Sequence, residues 1–247
     1  MFKILRHSIK NAFFSQFNKI LMKKSFIFFL LAMPFFINSQ GIIDQTIDSL
    51  YREDQIYFAI TYNTFLNSPD ELIQTNFSPG FRAGFIRDFP INSKRNRAIA
   101  IGLGYSLNVF VQNLKITDQF EDSFNYEILL NQDFEKNRFS FQALEIPLEF
   151  RWRTSNNKLY KFWRIYAGLK ASYLLNSRAF FKSYNESISI TNIDLKKWQY
   201  GLTMSAGYNN WNTFIYYGLN PIFDNANIGT SPLKIRILKV GLIFYVL

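Results

Sequence analysis

The chain has 247 residues, 48% of them hydrophobic and 19% aromatic, including 28 Phe, 14 Tyr and 4 Trp. It has no cysteine and one histidine, His7, which excludes disulfides, thiolate nucleophiles, iron–sulfur clusters and lipoprotein attachment. The formal charge of +10 sits largely at the N-terminus. Residues 1–39 carry Lys3, Arg6, Lys10, Lys19, Lys23 and Lys24 and no acid, and without them 22 basic residues face 18 acidic ones, so no nucleic-acid surface is implied.

From Met22 the chain reads MKKSFIFFLLAMPFFINSQ. Lys23 and Lys24 form a positive n-region, residues 26–37 an apolar run broken only by Pro34, and Ser39 a small residue at the cleavage position. This pattern predicts a secretory signal peptide over 22–39, and the run is too short for an ordinary membrane helix. Residues 1–21 then read as a mis-called extension, or alternatively as a long n-region. Residues 40–54 are expected to form a short periplasmic segment, either disordered or with a turn or two of amphipathic helix on Ile42, Ile43, Ile47 and Leu50.

From Gln55 the hydrophobic period becomes two. Strand one sets Ile56, Phe58, Ile60 and Tyr62 against Tyr57, Ala59 and Thr61, and a second runs near 80–89. The third alternates over 99–111, with Ile99, Ile101, Leu103 and Tyr105 against Ala100, Gly102, Gly104 and Ser106. That exceeds the roughly 9–11 residues a tilted strand needs to cross a bilayer. The fourth (144–153), fifth (163–175) and sixth (198–208) repeat the grammar, and the seventh and eighth lie near 211–220 and 235–247. Strand eight is apolar on both parities. Its even positions are assigned outward because Lys239 and Gly241 share the other face.

Connections alternate long and short. Long loops are expected at 63–79, 115–138, 176–195 and 221–234, and short ones at 90–96, 155–160 and 209–210, the sorting of an outer-membrane barrel with both termini periplasmic. The fold class is therefore all-β, an eight-stranded antiparallel up-and-down transmembrane β-barrel over 55–247. Glycines 84, 102, 104, 168, 201, 207, 218 and 241 oppose the apolar stripe, as a narrow lumen filled by side chains requires. A soluble lipocalin-like barrel would instead place Lys, Glu and Thr there. Trp152, Tyr160, Trp163, Tyr166, Trp198, Tyr200, Tyr208 and Trp211 are expected in interfacial girdles.

The same parity sends Glu145, Glu149, Arg151, Arg153, Arg164 and Lys170 into the lumen from two adjacent strands. Buried charges persist when paired, so a cross-strand salt-bridge network is expected to plug the barrel. A small-solute or ion pore is the alternative, against which lumen charges of both signs speak. Gly102-Leu103-Gly104 lies inside a strand and is no nucleotide fingerprint, and Asn185-Glu186-Ser187 is a chance glycosylation triplet. With no His or Cys after the leader, no enzyme, metal site or cofactor is expected.

The stretches LEIPLEFRWRTS (144–155) and KFWRIYAGLKASYLL (161–175), with AIGLGYS upstream and GLIFYVL at the end, resemble the PorT-like outer-membrane β-barrel family. That resemblance covers roughly 55–247. It implies an eight-stranded outer-membrane barrel surrounded by lipid, and links the namesake branch to a protein-secretion apparatus. It brings no set of functional residues. The reading for function is a non-enzymatic structural or interaction module of the cell envelope, with envelope or secretion-apparatus proteins as partners.

Overall fold

The computed structural model describes residues 54–118, 124–129, 134–154 and 163–246. The expectations for residues 1–53 and for Tyr160 lie outside them. Among the described residues there are thirteen strands and no helix. They are β1 (Gln55–Leu66), β2 (Pro79–Pro90), β3 (Arg97–Val111), β4 (Leu114–Asp118), β5 (Phe124–Ile128), β6 (Lys136–Arg153) and β7 (Trp163–Lys182). They continue as β8 (Ser187–Thr191), β9 (Trp198–Tyr208), β10 (Trp211–Gly218), β11 (Asn227–Ile228), β12 (Ser231–Pro232) and β13 (Arg236–Val246).

Eight of these close into a ring of antiparallel neighbours, β1-β2-β3-β6-β7-β9-β10-β13. The ring is sealed by β1 on β13, from Ile56 opposite Val246 to Leu66 opposite Arg236. Closure leaves no open edge around the wall. Short turns join β2 to β3 and β9 to β10 at one end, where Gln55 and Val246 also lie; Asn209 takes the left-handed conformation (φ 55°) that asparagine tolerates. The opposite end carries the long connections.

Along the wall the outward side chains are apolar and the inward ones polar or small. On β9, Trp198, Tyr200, Leu202, Met204 and Tyr208 point out while Gln199, Gly201, Thr203 and Ser205 are buried. Leu103, at the middle of β3, is 60% exposed. On β13 the exposed residues are Val240, Leu242 and Val246, the parity expected from Lys239 and Gly241. An apolar exterior around the ring suits lipid and removes the soluble-barrel alternative, whose outer face would have to be wet. Two inward glycines make room for rings: a Cβ on Gly104 would collide with Tyr57 Oη, and one on Gly201 with the Tyr216 ring.

β6 and β7 are 18 and 20 residues long, more than a bilayer needs, and both run past the apolar band at the loop end. There the pattern inverts. On β6, Leu144, Ile146, Leu148 and Phe150 face out, but beyond them Phe139 and Phe141 face in and Arg138, Ser140 and Gln142 take the outer side. β13 makes the same exchange, from Ile237 inward to Lys239 inward. On β7 a register shift opposite Gln142/Ala143 accompanies it, and places Leu175 and Asn176 both on the outside.

This extension corrects the expected loops. Residues 115–138 contain β4, which pairs with β5, and the start of β6. Residues 176–195 contain the end of β7 and β8 paired to it, and 221–234 contain the β11–β12 hairpin.

Candidate functional site: the filled lumen and its cap

All six charges expected in the lumen are buried there, and the structure brings them into two clusters with partners from β1, β2 and β13. In the cluster nearer the short turns, Arg151 is fully buried on β6. Its Nη1 donates to Asp88 Oδ1 at 2.7 Å and to Gln55 Oε1 at 3.0 Å, and its Nη2 to Glu149 Oε2 at 3.1 Å. Arg153 donates to the other Asp88 oxygen and, through Nη2, to the Arg95 carbonyl at 3.1 Å. Arg151 lies over the Tyr166 ring at 4.4 Å, and Arg164 faces Tyr245 at 5.8 Å.

The second cluster is centred on Glu145, 1% exposed. Lys170 Nζ donates to its Oε1 at 2.7 Å and Arg82 Nε lies 3.0 Å from its Oε2. Arg82 is sandwiched by Tyr57 (4.8 Å) and Phe214 (4.6 Å), and Lys170 sits 4.3 Å from the Tyr216 centroid. Lys239 donates to Asn108 Oδ1 at 2.5 Å and shares the Tyr216 face at 5.2 Å.

The described lumen therefore holds six buried cations (Arg82, Arg151, Arg153, Arg164, Lys170, Lys239) and three carboxylates (Asp88, Glu145, Glu149). Carboxylates alone cannot compensate that set. Ring faces, each worth about 0.5–2 kcal/mol to a desolvated cation, and the neutral acceptors Gln55, Asn108 and the Arg95 carbonyl add to them. Between Glu145, Ser172, Gln199 and Lys239 the remaining space is a cavity of about 10 Å³, the scale of one water.

Sequence reasoning missed Asp88, Arg82 and Gln55. The signal was present: on β2, Arg82, Gly84, Ile86 and Asp88 share one parity against Phe81, Ala83, Phe85 and Phe89. Tyr166 requires correction. It is buried in the lumen under Arg151 rather than standing in a girdle. The girdle positions at the turn end are Trp163 against Tyr208 (5.5 Å) and Trp211 against Phe244 (4.7 Å), and at the loop end Tyr173 against Trp198 (5.1 Å).

Above the charges, at the loop end, the lumen closes a second time. Phe65, Phe110 and Phe139 stack at 4.9–6.0 Å. Phe223 meets Phe139 edge-on at 5.7 Å and Tyr126 at 5.4 Å, so the loop before β11 and the β4–β5 hairpin lie over the mouth. Leu114, Ile116, Ile193, Leu195, Ile222 and Ile235 complete this core. Asn113, itself buried, clips the loops together: its Nδ2 donates to the carbonyls of Glu71 (2.9 Å) and Leu129 (3.1 Å), and its Oδ1 accepts from Ile73 N–H (2.9 Å). Burial, with Asp194 nearby, raises the pKa of the Tyr126 phenol, and on the rim the hydrogen bond and charge of Lys182 lower that of Glu135.

A closed barrel with an apolar wall, aromatic belts and a filled interior is an integral β-barrel membrane protein. The chain belongs to the family described as Outer membrane protein beta-barrel domain, which matches residues 38–224, and it is an outer-membrane protein. No curated protein matches it. Among solved structures it is similar to Ail, the attachment invasion locus protein of Yersinia pestis. That match has 12% identity and a TM-score of 0.34, over 80% of this chain and 100% of the other. Ail in complex with the heparin analogue sucrose octasulfate matches at 13% identity and a TM-score of 0.37, with the same coverage.

Proposed function

We propose that this barrel is a closed, non-enzymatic module of the cell envelope. The membrane wall anchors it, and the structure beyond the membrane does the work through contacts with other envelope proteins. One observation carries the reading: the lumen is filled twice over, by the charge clusters inside the band and by the aromatic cap above them. A pore would have to lose both. Opening the cap exposes the stacked rings to water, and parting the clusters leaves buried charges uncompensated.

β4, β5 and β8 and the upper halves of β6 and β7 form an ordered platform whose apolar side chains continue the core of the barrel. Such a platform suits a docking role better than mobile loops, because less conformational entropy is lost on binding. The likeness of its central strands to PorT-like barrels supports placing that contact beside a protein-secretion apparatus. Purified protein in planar bilayers is the test. A silent bilayer is expected, with Glu149→Ala destabilising the fold without creating conductance. Steady, reproducible single-channel currents from the unmodified protein would replace this reading with the pore.

A further inference from the structure

On the outer wall, where the apolar band ends, β2, β3, β6 and β7 border a groove of about 710 Å³. Its far side is basic and polar, formed by Arg138 and Gln142 of β6 and Asn176 and Arg178 of β7, and its near side is apolar, formed by Phe81 and Leu107. A second depression of about 340 Å³ shares Phe81 and Leu107 with it and continues down the lipid-facing wall, where the small Ala83 sits among Phe58, Ile60 and Tyr105.

We propose that the two depressions together bind one outer-leaflet lipid bearing a phosphate-monoester headgroup, the phosphate on Arg138 and Arg178 and an acyl chain in the crease over Ala83. Ser140 stands opposite Arg178, so Arg138 is its diagonal neighbour on the same face, about 7–8 Å away between Cα atoms, close enough for both guanidinium groups to reach one phosphorylated headgroup. Arg178 is oriented by Ser189, whose Oγ accepts from its Nε at 2.9 Å, and Arg138 lies 5.7 Å from the Phe180 ring. Neither forms an ion pair with a described carboxylate. The acids on this rim, Glu135 and Glu186, are held by Lys182 and Lys115. The height fits as well, because Tyr105 Oη donates to Gln142 Oε1 at 2.7 Å, a tyrosine with its ring in the band and its hydroxyl at the polar boundary. A free anion would use the arginines and ignore the crease; an apolar crease opening only into the bilayer selects an amphipathic occupant.

The test uses the full barrel in phosphatidylcholine vesicles, with or without bisphosphorylated lipid A, and in parallel with the same lipid dephosphorylated. The readout is the temperature at which the compact gel band converts to the unfolded one. Phosphorylated lipid should raise it, and the dephosphorylated lipid should raise it less. Arg138→Gln/Arg178→Gln should weaken the half-saturating concentration at least about tenfold, since charge-assisted contacts to phosphate are lost. Ala83→Leu, which fills the crease and leaves every charge in place, should weaken it too. Arg87→Gln, at the opposite membrane face, should not. Equal shifts from both lipids, or the same shift from inorganic phosphate alone, would overturn the proposal. So would an unchanged response in both the double variant and Ala83→Leu.

Discussion

Glu145→Gln tests whether the lumen charges are a mutually dependent set. The substitution keeps the shape and one acceptor oxygen, and removes a charge that lies 2.7 Å from Lys170 and 3.0 Å from Arg82. At an effective dielectric of 20, two unit charges about 4 Å apart interact by about 4 kcal/mol, so the two pairs together gross about 8 kcal/mol. Desolvating the carboxylate opposes this by several kcal/mol, leaving a net loss of about 3–5 kcal/mol for a broken buried pair. The loss should fall at the upper end because Lys239 is also nearby and would keep no carboxylate, just Asn108 and the Tyr216 and Phe141 rings. Urea unfolding in phosphatidylcholine vesicles, followed by tryptophan fluorescence and by gel mobility before boiling, gives the number. Glu145→Gln/Lys170→Met should recover part of the loss, since one stranded cation goes with the acid. A single variant within about 1 kcal/mol of the unmodified protein would refute the argument, that being the scale of an unremarkable surface change.

Three further outcomes are expected. Leu103→Arg, on the lipid face at mid-wall, should cost about 2–4 kcal/mol in the same unfolding measurement, whereas Leu103→Phe should be tolerated. Phe223→Ala removes the ring that meets both Phe139 and Tyr126; it should destabilise the cap by about 3–5 kcal/mol and still leave planar bilayers silent, because the charge clusters remain. We propose that the leader over 22–39 is cleaved, in keeping with a family match that begins at residue 38. N-terminal sequencing of envelope material should return Gln40 or a residue within two of it, and Met1 or Met22 would refute this.

The membrane-embedded half of the barrel is legible because two solvents impose opposite demands on alternate residues. On β3 and β9 lipid requires Leu, Ile and aromatic side chains on one parity, and a crowded lumen requires Gly, Ser and Thr on the other. The lumen charges on β6 and β7 follow from the same rule. Asp88 and Arg82 obey it too, but the outward Arg87, toward the turn end of the β2 apolar stripe, blurs the contrast. The cap was not legible. Phe139 and Phe141 fall where Arg138, Ser140 and Gln142 break the outward apolar stripe, so the strand reads as ending at Leu144. Nothing local distinguishes a strand that stops from one that continues into a different solvent.

The inversion also explains why the cap and the lipid groove lie at the same height. Below the boundary the wall faces hydrocarbon, and polar atoms are cheaper inside, paired with one another. Above it the wall faces water, and the economical arrangement is that of a soluble sheet, with Phe110, Phe139, Phe141 and Ile237 inward and Arg138 and Arg178 outward. The exchange on β6 occurs between Leu144 and Gln142, where β7 shifts register and places Leu175 and Asn176 side by side on the outer face. A bulge there lets one strand change which parity it presents without breaking the ladder. On β7 that step turns Phe181 inward and Arg178 outward, while β6 keeps its parity and exchanges its residue types, so that Phe139 and Phe141 face in and Arg138 faces out above the last apolar residues of the band. The two guanidinium groups meet the bilayer at headgroup depth because the cap requires the inversion at that height.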